Sequence, residues 1–504
     1  MFADWERHDR IACRELLRHF FRLALLSGAA AVALLSGFAI AIAAEWRITP
    51  RIDAEVAYTD NVELAPRGLE QSDVITTVSP GISVRGDGGR IHLNLNYNPQ
   101  ALVYADDSSR NDFRHRLLGT GDIELLERIL FLEADASVSQ QFINNRDAVG
   151  GSYLNASNNL RTVQTYGIGP VLRNQFGPYA QSEVRYRLDY VNPETASVAD
   201  TTTNSLSALL SSGSYFSVLG WTLSYEDSRT VRSGSATAFD GIDSDRRTGR
   251  ADISYAVSSA FSVLAGAGYE DINDATLTRS PDGLIWDVGF LYRPNRNASL
   301  RVTVGERYND PNFNVQASYL MGQRTYVTAS YDQTIETSQS LLSGNLSRLG
   351  VSPTGELIDT TTGAVFLPGD PALGLDSSAF RRDRFSLGVN SSYGRNKYGL
   401  SAYHEEREFE LANQNETVFG GQVNWSRRLS PHTDVDVNLG YRHSKFDDAT
   451  DRRDDFYDVN IGVTQQLSET LDARLRVGHT TRNSNQNQND LRQNLVVLGI
   501  GKTF

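Results

Sequence analysis

The stretch SEVRYRLDY, residues 182–190, places Val184, Tyr186, Leu188 and Tyr190 at one parity and Glu183, Arg185, Arg187 and Asp189 at the other. Successive side chains of a strand point to opposite faces, so this period of two reads as a strand with one apolar and one charged face. The same beat recurs on both sides of it. RIDAEVAY (51–58) sets Ile52, Ala54, Val56 and Tyr58 against Arg51, Asp53 and Glu55. RIHLNLNY (90–97) sets Ile91, Leu93, Leu95 and Tyr97 against His92, Asn94 and Asn96. TDVDVNLGY (433–441) sets Val435, Val437, Leu439 and Tyr441 against Asp434, Asp436 and Asn438. The chain ends on the beat as well, in NLVVLGIGKTF (494–504), with Val496, Leu498 and Ile500 before Phe504. Helical periodicity is missing after residue 44.

The connections are sorted by length. Short turns such as GDGG (86–89), LLER (125–128), FGPY (176–179), PNRN (294–297), GRNK (394–397) and SPHT (430–433) alternate with longer polar links such as NNRDAVGGSYLNASNN (144–159). That alternation is the pattern of a meander whose two ends face different compartments. It predicts an all-β fold: a single transmembrane antiparallel up-and-down β-barrel of about 22 strands, within a range of roughly 18–24, with short periplasmic turns and longer extracellular loops. Tandem β-sandwiches would have shorter strands and unsorted loops, and a β-helix would show a stacked repeat. In water, so many one-sided strands would need a second layer. Lipid removes that need, and closure removes the unpaired edges that lipid cannot satisfy.

The first 44 residues differ in character. Arg7, Arg10, Arg14, Arg18 and Arg22 precede the apolar run LALLSGAAAVALLSGFAIAIAA, which ends on Ala41-Ile42-Ala43. A basic start, an apolar stretch and a small-x-small end read as a signal peptide cleaved near Ala43 or Ala44, rather than an uncleaved anchor. The only cysteine, Cys13, falls in this segment, so the mature chain carries no thiol, which suits an oxidising compartment. The net charge of −13 becomes about −14 without residues 1–44, which hold five Arg and four Asp/Glu. An acidic chain with Lys only at 397, 445 and 502 is a poor partner for nucleic acid. The expected destination is the outer membrane of a Gram-negative envelope, with residues 45–504 forming one barrel domain.

If the apolar face meets lipid, the charged face lines the lumen. The expected lining residues are Arg51, Asp53, Glu55, Glu183, Arg185, Arg187, Asp189, Asp287, Arg301, Arg384, Asp434, Asp436, Asp458, Arg474 and Arg476. Such a wall is either stiffened by Arg–carboxylate ladders or a track for a hydrated, hydroxyl-rich or charged polymer. Tyr97, Tyr225, Tyr269 and Tyr441 each stand eight residues beyond a short turn. At a strand rise of about 3.3 Å and a tilt near 40° they lie about 20 Å up, where an aromatic girdle belongs. The first strand begins a few residues after the expected cleavage site, so a constriction is expected from loops or wall rather than from an N-terminal plug. The longest link, about residues 338–380, is expected outside the cell, either folded into the mouth as a lid or standing above it; its GELIDTTTGAVFLPGDP (355–371) reads as a hairpin of its own.

Catalysis finds no motif. His92, His115, His404, His432, His443 and His479 are scattered, without metal-ligand spacing, so no catalytic residue, metal or cofactor is expected. An outer-membrane hydrolase assembled from neighbouring strands is the remaining enzymatic reading. Phe504 is expected to serve as the recognition signal of the barrel-insertion machinery. Lys502 breaks the apolar beat and is expected to snorkel to the headgroups.

EVAYTDNVELAP (55–66), SDVITTVSPGISVRGDGGRIHLNLNYNPQALVYADDSSRND (72–112) and LLERILFLEADASVSQQ (125–141) carry a more specific likeness. Through Tyr58–Asn61 and Val78–Gly81 above all, this region resembles the outer-membrane β-barrels associated with PEP-CTERM/exosortase systems, within the wider class of β-barrel porins of exopolysaccharide loci. The likeness is strongest over residues 46–140. It implies an outer-membrane protein that helps to export exopolysaccharide beside periplasmic export components, and it brings no binding residues. A non-conducting structural or surface-presenting barrel is the other class.

Overall fold

The computed structural model describes residues 44–504 except 196, 234–242, 279, 309, 346–348, 352–356, 360–374, 376–377, 410–414 and 448–450. The signal-peptide reading of residues 1–44 therefore falls almost wholly outside the described residues. Trp46–Asp87 and Ile91–Phe504 make one compact unit.

That unit is a closed antiparallel barrel of 22 strands. Two of the strands are each interrupted once. Ile91–Tyr97 and Gln100–Tyr104 both pair with Asp73–Gly88, and Asp112–Arg114 and Leu117–Leu126 together form the next strand. Every other strand is continuous, from Ala44–Thr59 to Leu491–Thr503, and pairs with its sequence neighbours. The last strand returns to the first in register from Arg51↔Thr503 to Thr59↔Leu495, which leaves the sheet no edge. The short turns expected from sequence all join consecutive strands at one end; Gly177 and Gly394 take positive φ of 59° and 60° there, as tight turns require.

Alternation decides which residues face out. Along the last strand Val496, Leu498 and Ile500 are exposed on the outer surface, while Leu495 and Val497 are buried inside. Ile52, Val56 and Tyr58 are exposed outward on the first strand, with Ala57 buried between them. An outer surface of exposed Val, Leu, Ile, Tyr and Phe has no water-soluble explanation and suits a hydrocarbon surround. The sorting of links by length is less strict than the sequence suggested: the link between Ala298–Arg307 and Asp310–Met321 spans only 308–309, with Tyr308 at φ 58°.

Candidate functional site

The inner wall is organised by one recurring device, an arginine that reaches across a glycine. On Ala180–Asn192, Arg187 donates through Nε to Asp189 Oδ1 (2.8 Å) and through Nη2 to Asp135 Oδ1 (2.6 Å), two strands away on Leu130–Phe142. Between them, on Leu160–Phe176, sits Gly167, in register with both aspartates. A Cβ there would fall on the Arg187 guanidinium and come within 2.8 Å of Asp189 Oδ1. The same triplet occurs with Arg250, Asp252 and Asp287 across Gly266. It occurs again at the seam, where Arg51 binds Asp53 (2.9 Å) and reaches Asp472 (2.7 Å) across Gly501. There Arg474 adds contacts to Asp53, to Glu55 (3.4 Å) and to Asp472 (3.1 Å). Asp436 and Arg476 stand on either side of Gly462 in the same register.

The expected lining residues therefore do not converge on one site. Glu183 and Arg185 form one network with Glu133 and Arg173, and Arg187 and Asp189 form a separate one beside it with Asp135. Arg51, Asp53, Glu55 and Arg474 form another at the seam, and Asp287 belongs to a third with Arg250. Arg384 joins a group that sequence reading missed: Glu405, fully buried, accepts from Arg384 (2.5 Å), Arg382 (3.1 Å) and Arg407 (2.5 Å). Asp434 meets Arg428 at 3.5 Å, and Asp458 accepts from Thr480 Oγ1 (2.7 Å). Arg301 sits opposite Leu291 and Gln316 and makes no ion pair among the described residues.

The lumen is also crossed by a loop. Residues 143–159, the link after Leu130–Phe142, fold inward instead of standing above the rim. Tyr104 Oη donates to the Leu154 carbonyl (2.8 Å), Arg114 to the carbonyls of Tyr153 and Asn155, and Arg482 Nη1 to that of Asp147 (2.6 Å). Asn155 Nδ2 donates to the carbonyls of Asn61 (3.3 Å) and Val62 (3.2 Å). Val149 packs with Leu64, Phe142, Leu160 and Phe456, and Arg146 stacks 4.6 Å over the Phe446 ring. Gly151 lies so close to Thr480 and Asp458 that a Cβ would collide with both. Asp458 is about six residues, or roughly 15 Å, below the outer end of its strand, so the loop descends well into the barrel. Glycine pairs are common in loops, and nothing in GGSYLNASNN marked this one as inserted.

The longest link is described only in part. Ser338–Asn345 is a short helix whose Leu342 is buried with Ile143, Val163, Val191 and Leu375, and Leu375 donates its N–H to the Ile143 carbonyl (2.9 Å). Leu349–Val351 pairs with Leu357–Asp359, so a hairpin exists but starts ahead of the expected 355–371 stretch, most of which lies outside the described residues. Tyr225 and Tyr269 are exposed on the outer face, and the next outward residues are Asp227 and Asp271. Tyr441 donates to Asp455 Oδ1 (2.8 Å), and Tyr97 Oη is 2.8 Å from His115 Nδ1. Phe504 is exposed, its N–H on the Pro50 carbonyl (2.9 Å), and Lys502 Nζ reaches Thr470 Oγ1 (2.8 Å).

A charged region at the turn end was not legible as such in the linear sequence. Four consecutive hairpins, those turning at 296–297, 322–324, 394–395 and 431–432, form one arc of the wall. Over 288–305, 313–331, 385–404 and 417–433 they contain no Asp or Glu. They carry Arg293, Arg296 and Arg301 on the first, Arg324 on the second, Arg395 and Lys397 on the third, and Arg427 and Arg428 on the fourth, all exposed. Among the described residues, Arg428 alone of these meets a carboxylate, Asp434.

The family described as "Putative beta-barrel porin 2" matches residues 421–504, the last strands of the wall. No curated protein matches the chain. Among solved structures, the siderophore receptor PirA from Pseudomonas aeruginosa is similar over 91% of this chain and 80% of its own, at 12% identity and a TM-score of 0.43. The FrpB iron transporter from Neisseria meningitidis (F5-1 variant) is similar over 90% and 82%, at 12% identity and a TM-score of 0.47. OpdK from Pseudomonas aeruginosa, solved with vanillate, is similar over 91% and 99%, at 9% identity and a TM-score of 0.37. The fold and the family match define the class: a porin-like outer-membrane β-barrel.

Proposed function

We propose that this barrel is a channel for a hydrated polymer and takes part in exopolysaccharide export, with the side chains of the inner face as its lining. The observation that carries the reading is the continuity of that face. Ion-paired arginines alternate along it with amides and hydroxyls such as Gln316, Gln422, Asn424 and Asn438. A wall of bidentate donors and acceptors exchanges hydrogen bonds with a hydroxyl-rich chain without holding it at one point. No catalytic constellation is invoked, and the loop 143–159 takes the part of the constriction. The resemblance of residues 46–140 to barrels of exopolysaccharide loci supplies the polymer. The purified barrel in planar bilayers should show a stable conductance that soluble polysaccharide blocks, and deletion of the gene should shift polymer from the medium to the cell. A barrel that never conducts favours the non-conducting, surface-presenting alternative.

A further inference from the structure

The acid-free arc stands out against the rest of the molecule. The chain is acidic overall, and elsewhere on the wall the arginines of the glycine-crossing networks are neutralised by one or two carboxylates each. Here seven of the 22 strands, close to a third of the circumference, present cations with no acid within seven residues of the turns, and only the eighth, Thr433–Asp447, brings acids near its turn, Asp434 and Asp436. The opposite arc inverts this, with Asp122, Glu124, Glu127, Glu133 and Asp135 against Arg128 over 118–138.

Position within the strand separates three readings of such a patch. Lipid phosphates would be met by side chains on the outer face, and a periplasmic protein by the tips of the turns. Outer residues here are Tyr292, Val304, Tyr319 and Leu400, exposed and apolar or aromatic. By alternation against these, Arg293, Arg301 and Lys397 fall on the inner face, at the mouth of the lumen. Arg427 alone falls on the outer face, and Arg296, Arg324 and Arg395 occupy turns.

We propose that this arc is an electropositive vestibule that draws an anionic polymer, one bearing carboxylate or phosphate groups, into the barrel from the periplasmic side. The proposal rests on the channel reading above and adds the charge of the solute and the end at which it enters. Cations on a low-dielectric rim raise the local concentration of a polyanion, and unpaired guanidinium groups bind carboxylate and phosphate oxygens in pairs. Paired arginines higher on the wall then let the chain pass without arresting it.

The test uses the full barrel inserted with known orientation in neutral phosphatidylcholine bilayers under a KCl gradient. The reversal potential should have the sign of a chloride preference. Dextran sulfate added on the periplasmic side should block the current at lower concentration than the same polymer added outside, and neutral dextran of equal size should block weakly from either side. The triple variant Arg293→Glu, Arg301→Glu, Lys397→Glu should move the reversal potential towards potassium and weaken dextran sulfate block on the order of tenfold. Folding of the variant is checked by heat-modifiable migration, and the milder Arg→Gln and Lys→Gln set should give an intermediate shift. A conducting wild type with no chloride preference, or a folded triple variant with unchanged selectivity and block, overturns the vestibule and leaves the channel standing. In a repeat with anionic phosphatidylglycerol bilayers, selectivity that follows the headgroup charge instead of the substitutions overturns the vestibule and assigns the arc to lipid. Loss of secretion on Arg324→Glu, with the triple variant's conductance unchanged, assigns it to a docking protein. Absence of any conductance removes the channel reading and the vestibule together.

Discussion

Two parts of the inner wall are made from the same alternating strands and end in opposite electrostatic states. At the seam and along Leu130–Asn192, Arg51 and Arg187 each find a carboxylate on their own strand and another two strands away, because the strand between offers glycine at the matching register. On the arc of hairpins from 288 to 433 the turn-proximal cations other than Arg428 have no carboxylate partner among the described residues. Antiparallel alternation puts charge on the inner face in both. What differs is whether the register also brings an acid, and that decides whether a charge stabilises the wall or is presented to the lumen. The inserted loop follows the same division: its anchors Tyr104, Arg114 and Arg482 stand on strands at the seam and near it, Asn61 lies in the link just after the first strand, and none of these four lies on the cationic arc.

The strongest way to break the comparison is at Glu405, the carboxylate on which Arg382, Arg384 and Arg407 converge. Glu405→Gln keeps the shape and leaves three guanidinium groups, each at most 19% exposed, around a neutral amide. Removing one partner of a buried pair is strongly destabilising, by about 3–5 kcal/mol. Urea unfolding of the purified barrel should show a midpoint well below that of the parent. An unchanged midpoint would mean that even this cluster is effectively solvated, and the contrast with the arc would lose its meaning. A smaller effect is expected at Gly167→Val, where the added side chain displaces the Arg187 guanidinium from Asp135 and Asp189. Overpacking of this kind costs about 1–3 kcal/mol. Gly249→Ala is the matched control on the outer face, where the nearest atom to a new Cβ is Tyr225 Cδ2 at 3.9 Å. It should stay within about 0.5 kcal/mol of the parent.

The barrel was legible because its signal is local and repeated: SEVRYRLDY and NLVVLGIGKTF each state their two faces without help from the rest of the chain. The number of strands followed from the turns, which sequence marks with Gly, Pro and Asn. Partners across the wall are another matter. That Arg187 meets Asp135 depends on a register between residues 52 apart, and that Asp287 meets Arg250 depends on a register carried across Gly266 from a strand two away. The destination of loop 143–159 was hidden for a similar reason, since its anchors come from the chain's two ends. The Tyr58–Asn61 element is instructive here. Asp60 takes the Asn494 N–H (2.6 Å), and Asn61 Nδ2 donates to the carbonyls of Ala65 (2.9 Å) and Arg492 (3.0 Å). In the fold this element clasps the last strand to the first.

The smallest expected effect sharpens the comparison from the other side. Arg301 is exposed on the inner face, opposite Leu291 and Gln316, with no ion pair among the described residues. If its charge is presented rather than used to hold the wall, Arg301→Gln should change the urea midpoint by no more than a surface substitution does, within about 0.5 kcal/mol. A long cation on a solvated face contributes little to stability even when paired, and less without a partner. Glutamine keeps the hydrogen-bonding capacity and the β-compatible length, so only the charge is lost. A drop comparable to that of Glu405→Gln would show that Arg301 is tied into the wall through contacts of its own, and the arc would then be one more stabilised region instead of the exception to it.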